Sequence, residues 1–118
     1  MTKILLVDDD IDMCESLADV IQLEKSFIVS FTSSAADALE LIEIEDFALA
    51  IVDYMMPEMN GIELIKNLKI KKPNLIIFMF TAFISNELVE KVKKAGAANV
   101  LSKFTYPEEI LKQIKNAI

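Results

Sequence analysis

The chain has 118 residues, a single cysteine, no histidine and a net charge of −7. This length predicts one domain over residues 1–118 with a single core, and the acidic balance argues against contact with nucleic acid phosphates. No apolar run exceeds six residues, too few for a transmembrane helix, and a lone cysteine cannot form an internal disulfide, so we expect a cytoplasmic protein.

Apolar segments alternate with helical patterns from one end of the chain to the other. Strands are predicted at residues 3–7, 27–31, 48–52, 75–80 and 99–102, three of them nearly continuous apolar runs that indicate burial on both faces. Helices are predicted around residues 13–21, over 34–45, from 61 towards 73, over 86–95 and from about 105 to 118.

Three local features indicate where these helices begin. Asp10 is a predicted N-cap, Thr105 and Glu108 have the spacing of a capping box, and Gly61 is expected to supply a turn before the third helix.

Five strand–helix units predict an α/β protein with an open parallel sheet between two layers of helices. The common short version is the flavodoxin-like (βα)5 sandwich, with strand order 2-1-3-4-5. In that order the first and third strands are neighbours, so Asp8, Asp9 and Asp53 would meet at their carboxyl ends. Thr81 and Lys103 follow the fourth and fifth strands at the same edge.

Carboxylates, a hydroxyl and an ammonium group at one crevice point to phosphoryl chemistry. Two like charges about 4 Å apart repel by roughly 4 kcal/mol at an effective dielectric of 20, and a divalent cation with oxygen ligands, usually Mg²⁺, relieves that repulsion. A further carboxylate can attack phosphorus and form an aspartyl phosphate, while lysine and threonine bind phosphate oxygens.

The segment Asp53-Tyr-Met-Met-Pro-Glu-Met-Asn-Gly61, together with Asp8-Asp9, Thr81-Ala82 and Lys103, resembles the receiver domain of two-component response regulators over the whole chain. The resemblance implies a phosphoacceptor, not an enzyme, in which Asp53 receives a phosphoryl group from a sensor histidine kinase or a phosphotransfer protein. It also implies that Asp9, Asp53 and the Met55 carbonyl bind Mg²⁺ with help from Asp8 through water, and that Thr81 and Lys103 contact the phosphate.

The same resemblance implies how the signal is passed on. The face made by helix 4, strand 5 and helix 5 would control a downstream effector or an attached output domain, in a monomer or a phosphorylation-dependent dimer, without membrane contact. Its expected contact residues are Leu88, Val92, Phe104 and Tyr106, and a kinase is expected to dock on helix 1 near Met13, Cys14 and Leu17.

The chain departs from the family pattern at two positions. Phe104 stands where a proline usually follows the lysine, which puts the placement of Lys103 in question, and Val100 stands where an aromatic residue often reports phosphorylation. Two further residues, Met55 and Phe83, flank the line along which water would attack in the family. Since neither can orient a water molecule, we expect slow self-dephosphorylation.

Two other functions are compatible with these residues. A receiver-like interaction module would keep the acidic pocket without accepting phosphate. A haloacid dehalogenase-type Mg²⁺-dependent phosphohydrolase would use Asp8 and Asp10 as nucleophile and acid, but position 12 is aspartate where threonine or valine is expected, and no cap domain is present.

Overall fold

The computed structural model describes residues 1–56 and 58–118. Its strands are β1 (Thr2–Val7), β2 (Phe27–Thr32), β3 (Leu49–Asp53), β4 (Ile76–Thr81) and β5 (Asn99–Ser102). Its helices are α1 (Ile11–Ile21), α2 (Ala35–Ile44), α3 (Gly61–Lys71), α4 (Asn86–Ala95) and α5 (Pro107–Ala117). The predicted elements are therefore confirmed, with ends that move by one or two residues.

The described strands form one parallel sheet in the order β2-β1-β3-β4-β5. This confirms the predicted flavodoxin-like fold class and strand order. In the register of β1 and β3, Val7 lies beside Val52, so the residues that follow, Asp8 and Asp53, come side by side at the carboxyl edge. The register therefore creates the acidic pair.

The two faces of the sheet carry separate cores, because successive strand residues point to opposite faces. Leu5, Val7 and Val52 face the layer that contains α2, α3 and α4, whereas Ile4 and Leu6 face α1 and α5. Both sets are buried, which explains why residues 4–7 of β1 and 49–52 of β3 are apolar without interruption rather than at alternate positions.

Most helix ends have a local cause in the sequence. The Asp10 side chain accepts a hydrogen bond from Met13 N at 3.1 Å, as predicted for an N-cap, and Gly96 ends α4 with φ at +119°. The predicted capping box of Thr105 and Glu108 is wrong: α5 begins at Pro107, and its N-cap Tyr106 makes no side-chain capping bond. Proline fixes that start, and the residue before it stays extended.

Gly61 is required for close packing and not for the turn that the sequence suggested. It is the first residue of α3, and a Cβ there would lie 2.6 Å from the Asp53 carbonyl oxygen and 2.9 Å from Tyr54 Cα. The helix thus begins in direct contact with the backbone that carries Asp53.

The expected docking residues divide between core and surface. Leu88 and Val92 are buried and belong to the core beneath α4, so their assignment to a docking surface is wrong. Cys14 and Leu17 are likewise buried between α1 and the sheet, because an amphipathic helix turns its apolar face inward. Phe104 and Tyr106, in contrast, are each 80% exposed.

Among the described residues, no helix is both long enough and apolar enough to cross a membrane.

Candidate functional site

The ends of four neighbouring strands supply the polar side chains of one crevice. Asp8 directly follows β1, Asp53 ends β3, and Thr81 ends β4; each is only 4% exposed. Lys103 follows the last residue of β5. The exposed Asp9 lies beside Asp8 at the same edge. The structure therefore brings together the carboxylates, the hydroxyl and the ammonium group that the sequence singled out.

The Lys103 ammonium lies between the two buried carboxylates. Its Nζ is 3.1 Å from Asp53 Oδ1 and 3.2 Å from Asp8 Oδ2. Burial alone would lower the pKa of Lys103, but its hydrogen bond to Asp53 and the two negative charges outweigh that effect and raise it. Lys103 is therefore a cation at physiological pH and offsets part of the repulsion between the aspartates.

Three carboxylates share this small volume. Asp8, Asp9 and Asp53 each present an oxygen within 4.8 Å of the others. Asp8 Oδ1 accepts the Asp10 N–H at 3.0 Å, whereas Oδ2 has no partner with hydrogen-bond geometry among the described residues, only the ion pair with Lys103. Burial, reinforced by the Asp53 charge, raises the pKa of Asp8 from 3.8 to about 6 despite the opposing effect of the Asp10 N–H and Lys103.

Lys103 reaches the site although Phe104, and not a proline, follows it. No peptide bond among the described residues is cis, and the Lys103 ammonium still lies in contact with Asp53. The backbone holds the loop in place, because Lys103 N donates to the Thr81 carbonyl at 2.8 Å and Phe104 N donates to Ser102 Oγ at 3.0 Å. Lys103 is thus placed at the site without a proline after it.

A cavity of about 480 Å³ opens above these groups. Its walls are formed by the following residues: Asp9, Asp53, Tyr54, Met55, Thr81, Ala82, Phe83 and Lys103. Thr81 Oγ1 accepts the Phe83 N–H at 3.3 Å and lies 3.4 Å from the Phe83 carbonyl oxygen, so the hydroxyl is held by its own loop.

Phe80 contributes to the site, although sequence reasoning missed it. Its ring centroid lies 5.7 Å from Lys103 Nζ, a cation–π distance, and its position in β4 pairs with Asp53 in β3. The strand register contained that signal, since the residue paired with Asp53 must lie at the same edge of the sheet.

Comparison with known proteins assigns this arrangement to a family. The family model described as response regulator receiver domain matches residues 4–115. The chain belongs to this family. Membership of the receiver domains of two-component response regulators is consistent with a role in phosphorylation-dependent signalling. The strand order and the polar residues at the carboxyl edge of the sheet agree with this assignment.

Individual relatives place the receiver domain in different protein contexts. It is 36% identical over 117 residues to the transcriptional regulatory protein CpxR homolog of Haemophilus influenzae, covering 98% of this chain and 49% of that protein. It is 31% identical to the response regulator receiver protein CpdR of Brucella abortus, covering 100% of this chain and 98% of that protein. The chain thus spans about half the length of one curated relative and nearly all of the other.

A solved structure shows the same fold. The chemotaxis protein CheY4 of Vibrio cholerae superimposes with a TM-score of 0.93 at 28% sequence identity, over 100% of this chain and 99% of that one.

Proposed function

We propose that this receiver domain is a phosphorylation-dependent switch in which Asp53 accepts the phosphoryl group from a sensor histidine kinase or phosphotransfer protein. The observation that carries the proposal is the position of the Asp53 carboxylate. It is buried at the floor of an open cavity, 3.1 Å from an ammonium group and within 4.8 Å of two further carboxylates. Such a carboxylate is accessible from one side only, and that side leads to the cavity.

The acidic cluster fits a divalent cation with a preference for oxygen ligands. Its donor set is made of carboxylates, and the buried Oδ2 of Asp8 has no hydrogen-bond partner in the described chain. Asp8, Asp9 and Asp53 would hold Mg²⁺, together with the Met55 carbonyl. When bound, the ion supplies positive charge that neutralises the acids and the transferred phosphoryl oxygens.

The remaining groups supply position and charge. An Asp53 carboxylate oxygen attacks phosphorus, Lys103 offers its charge to the equatorial oxygens, and the Thr81 hydroxyl donates a hydrogen bond once it turns from the Phe83 carbonyl. Phosphoryl transfer depends chiefly on positioning and electrostatic stabilisation. No general base is needed, because the nucleophile is already an anion.

The output surface would lie in the loop that follows Lys103. Phe104 and Tyr106 expose large apolar surfaces in the loop between β5 and α5, directly after Lys103. A change in the Lys103 ion pairs on phosphorylation would therefore alter a loop that a downstream effector or an attached output domain can contact. The switch would act as a monomer or as a phosphorylation-dependent dimer.

The two alternative functions have less support. As a phosphohydrolase of the haloacid dehalogenase type, the chain would need Asp10 as acid, but this side chain is an N-cap bonded to Met13 N and is absent from the cavity wall. A silent interaction module has no use for the buried charges of Asp8 and Asp53, whose desolvation opposes folding.

Intact mass after incubation with acetyl phosphate and Mg²⁺ tests the proposal. We expect one added phosphoryl group on the native chain, and none without Mg²⁺ or in the Asp53→Asn variant. Thermal unfolding of that variant controls for loss of the fold. If the native chain gains no mass, the silent interaction module replaces the switch; if the variant gains the same mass, Asp53 is not the acceptor.

A further inference from the structure

The outer surfaces of α2 and α3 carry opposite charges. Helix α2 contains three acidic residues and no basic one, whereas residues 66–72, at the end of α3, contain four of the twelve lysines of the chain and no acid. The two helices lie side by side, since Lys71 Nζ forms an ion pair with Glu43 Oε1. Together they make one surface, the α2–α3 face, with a negative half and a positive half.

Both helices also expose an isoleucine at the amino edge of the sheet. Ile44 is the last residue of α2 and is 76% exposed, and Ile70, one residue before the end of α3, is 78% exposed. Each helix already buries another apolar side in the core, with Ile42 from α2 and Leu68 from α3. These two isoleucines therefore contribute nothing to the core and leave apolar surface on the α2–α3 face.

The outward residues of the two helices have the same spacing. They are all exposed, and in chain order they are Asp37, Glu40 and Ile44 in α2, and Glu63, Lys66 and Ile70 in α3. The spacing i, i+3, i+7 places each set along one side of its helix. Within the described residues, neither Glu40 nor Lys66 forms an ion pair. Each helix thus presents an unpaired charge and an isoleucine in matching order.

A second copy of the chain is complementary to this face. A two-fold axis that runs parallel to the helices, between α2 and α3, places α2 of each copy on α3 of the other. Glu40 then lies opposite the partner's Lys66, and Ile44 lies opposite the partner's Ile70; the symmetry forms each contact twice. A two-fold axis perpendicular to the helices would instead place the acidic α2 against the partner's α2. Charge therefore favours the first arrangement.

We infer that the chain forms a homodimer through the α2–α3 face, with two Glu40–Lys66 ion pairs and two Ile44–Ile70 contacts between the copies. The residues of the cavity wall above Asp53 all lie outside α2 and α3. The dimer leaves that cavity open and forms without phosphorylation, so it goes beyond the proposed function.

The dimer is expected to be weak. Helices α2 and α3 have 10 and 11 residues, which is a length of about 15 Å each, so the face buries less than the roughly 1,600 Å² of a standard interface. Asp37 and Glu63 of opposite copies also face each other at the carboxyl edge and oppose association. We therefore expect the monomer–dimer equilibrium to lie between roughly 10 µM and 1 mM protein.

Sedimentation equilibrium over that concentration range, with EDTA and without a phosphodonor, tests the inference. Lys66→Glu and Glu40→Lys should each raise the dimer dissociation constant by about tenfold, because either change places like charges together in both symmetric contacts. The double variant Glu40→Lys, Lys66→Glu restores opposite charges and should return the constant to the native value. Ile70→Ala should raise it by about tenfold, the effect of losing roughly 60 Å² of buried apolar surface over the two contacts.

Lys112→Glu is the matched control. Lys112 is an exposed lysine without an ion pair among the described residues, and it lies on α5, which packs on the opposite face of the sheet. The substitution changes the net charge by the same amount as Lys66→Glu, and the dissociation constant should stay at the native value. Thermal unfolding checks that each variant is folded.

Three results would each overturn the inference. The first is a native chain that stays monomeric at the highest concentration. The second is a dimer whose dissociation constant is unchanged by Lys66→Glu and Ile70→Ala. The third is a double variant that remains as weak as the single charge reversals, since Glu40 and Lys66 would then not be opposite each other. All three leave the phosphorylation of Asp53 untouched, so the proposed function is tested separately.

Discussion

Replacing Asp8 with asparagine is predicted to stabilise the folded protein at neutral pH. Asp8 is buried beside Asp53, and the folded state raises the pKa of its carboxyl from 3.8 to about 6. At 1.36 kcal/mol for each pKa unit, keeping Asp8 ionised costs the folded state about 3 kcal/mol. Asparagine removes that charge and keeps an oxygen to accept the Asp10 N–H. We therefore expect the free energy of unfolding to rise by about 3 kcal/mol at pH 7 and above.

The stabilising effect of Asp8→Asn depends on pH. Between pH 3.8 and about 6, Asp8 binds more protons in the folded state than in the unfolded state, so its contribution to the free energy of unfolding falls as pH rises through that window. The asparagine variant lacks this contribution. The two proteins should therefore be similar in stability near pH 4 and diverge towards pH 7, with the native chain the less stable.

Urea unfolding from pH 4 to pH 7.5, with EDTA present to remove divalent cations, measures the difference directly. Folding lowers the pKa of Glu24 and Glu43 through hydrogen bonds to Lys115 and Lys71, but both proteins carry these pairs, so the effect cancels. Asp9→Asn is the control, since the exposed Asp9 is already solvated and its replacement should change stability far less. The reasoning is refuted if Asp8→Asn is less stable than the native chain at pH 7, or if the difference does not vary with pH.

The packing of Gly61, the acidic cluster and the residues beside the phosphoacceptor each have a measurable consequence. Gly61→Ala should lower the free energy of unfolding in urea by about 2 kcal/mol, because its Cβ would lie 2.6 Å from the Asp53 carbonyl oxygen; native stability would show that α3 can move away freely. Mg²⁺ at roughly ten times its dissociation constant should stabilise the native chain by about 1.4 kcal/mol. The thermal midpoint should then be higher with Mg²⁺ than with EDTA. An unchanged midpoint at millimolar Mg²⁺ would count against the metal site. The double variant Met55→Asn, Phe83→Glu should lose its phosphoryl group faster than the native chain, because the native side chains cannot orient water. A time course of intact mass measures this loss. The prediction fails if the half-life of the phosphoryl group on the native chain is no longer than on the variant.

The sequence was sufficient to predict the fold because its signals are local and periodic. Continuous apolar runs at β1 and β3 indicate a sheet covered on both faces, and that architecture in turn fixes the edge where the polar residues meet. Asp8 and Asp53 could be placed together from the sequence alone, since each stands at the carboxyl end of a buried apolar run.

Some errors arose from contacts between distant segments, and others from local signals that were given too little weight. Leu88 and Val92 were expected at a docking surface, although their four-residue spacing in a charged helix marks the apolar face that packs on the core. The role of Gly61 was misread as a turn, because the contact with the Asp53 backbone becomes visible only in three dimensions. The Thr105 capping box failed for a local reason, since Pro107 sets the start of α5.

The buried position of Asp8 also bears on how such a chain changes over evolutionary time. Most substitutions destabilise a protein, and selection removes those that take it below the stability that function requires. Asp8 is an exception, because a chain with a neutral side chain at this position would have a higher free energy of unfolding than the chain with the carboxylate. A lineage that no longer needed the acidic edge would lose this residue without penalty, so stability alone gives no reason for a carboxylate to persist there.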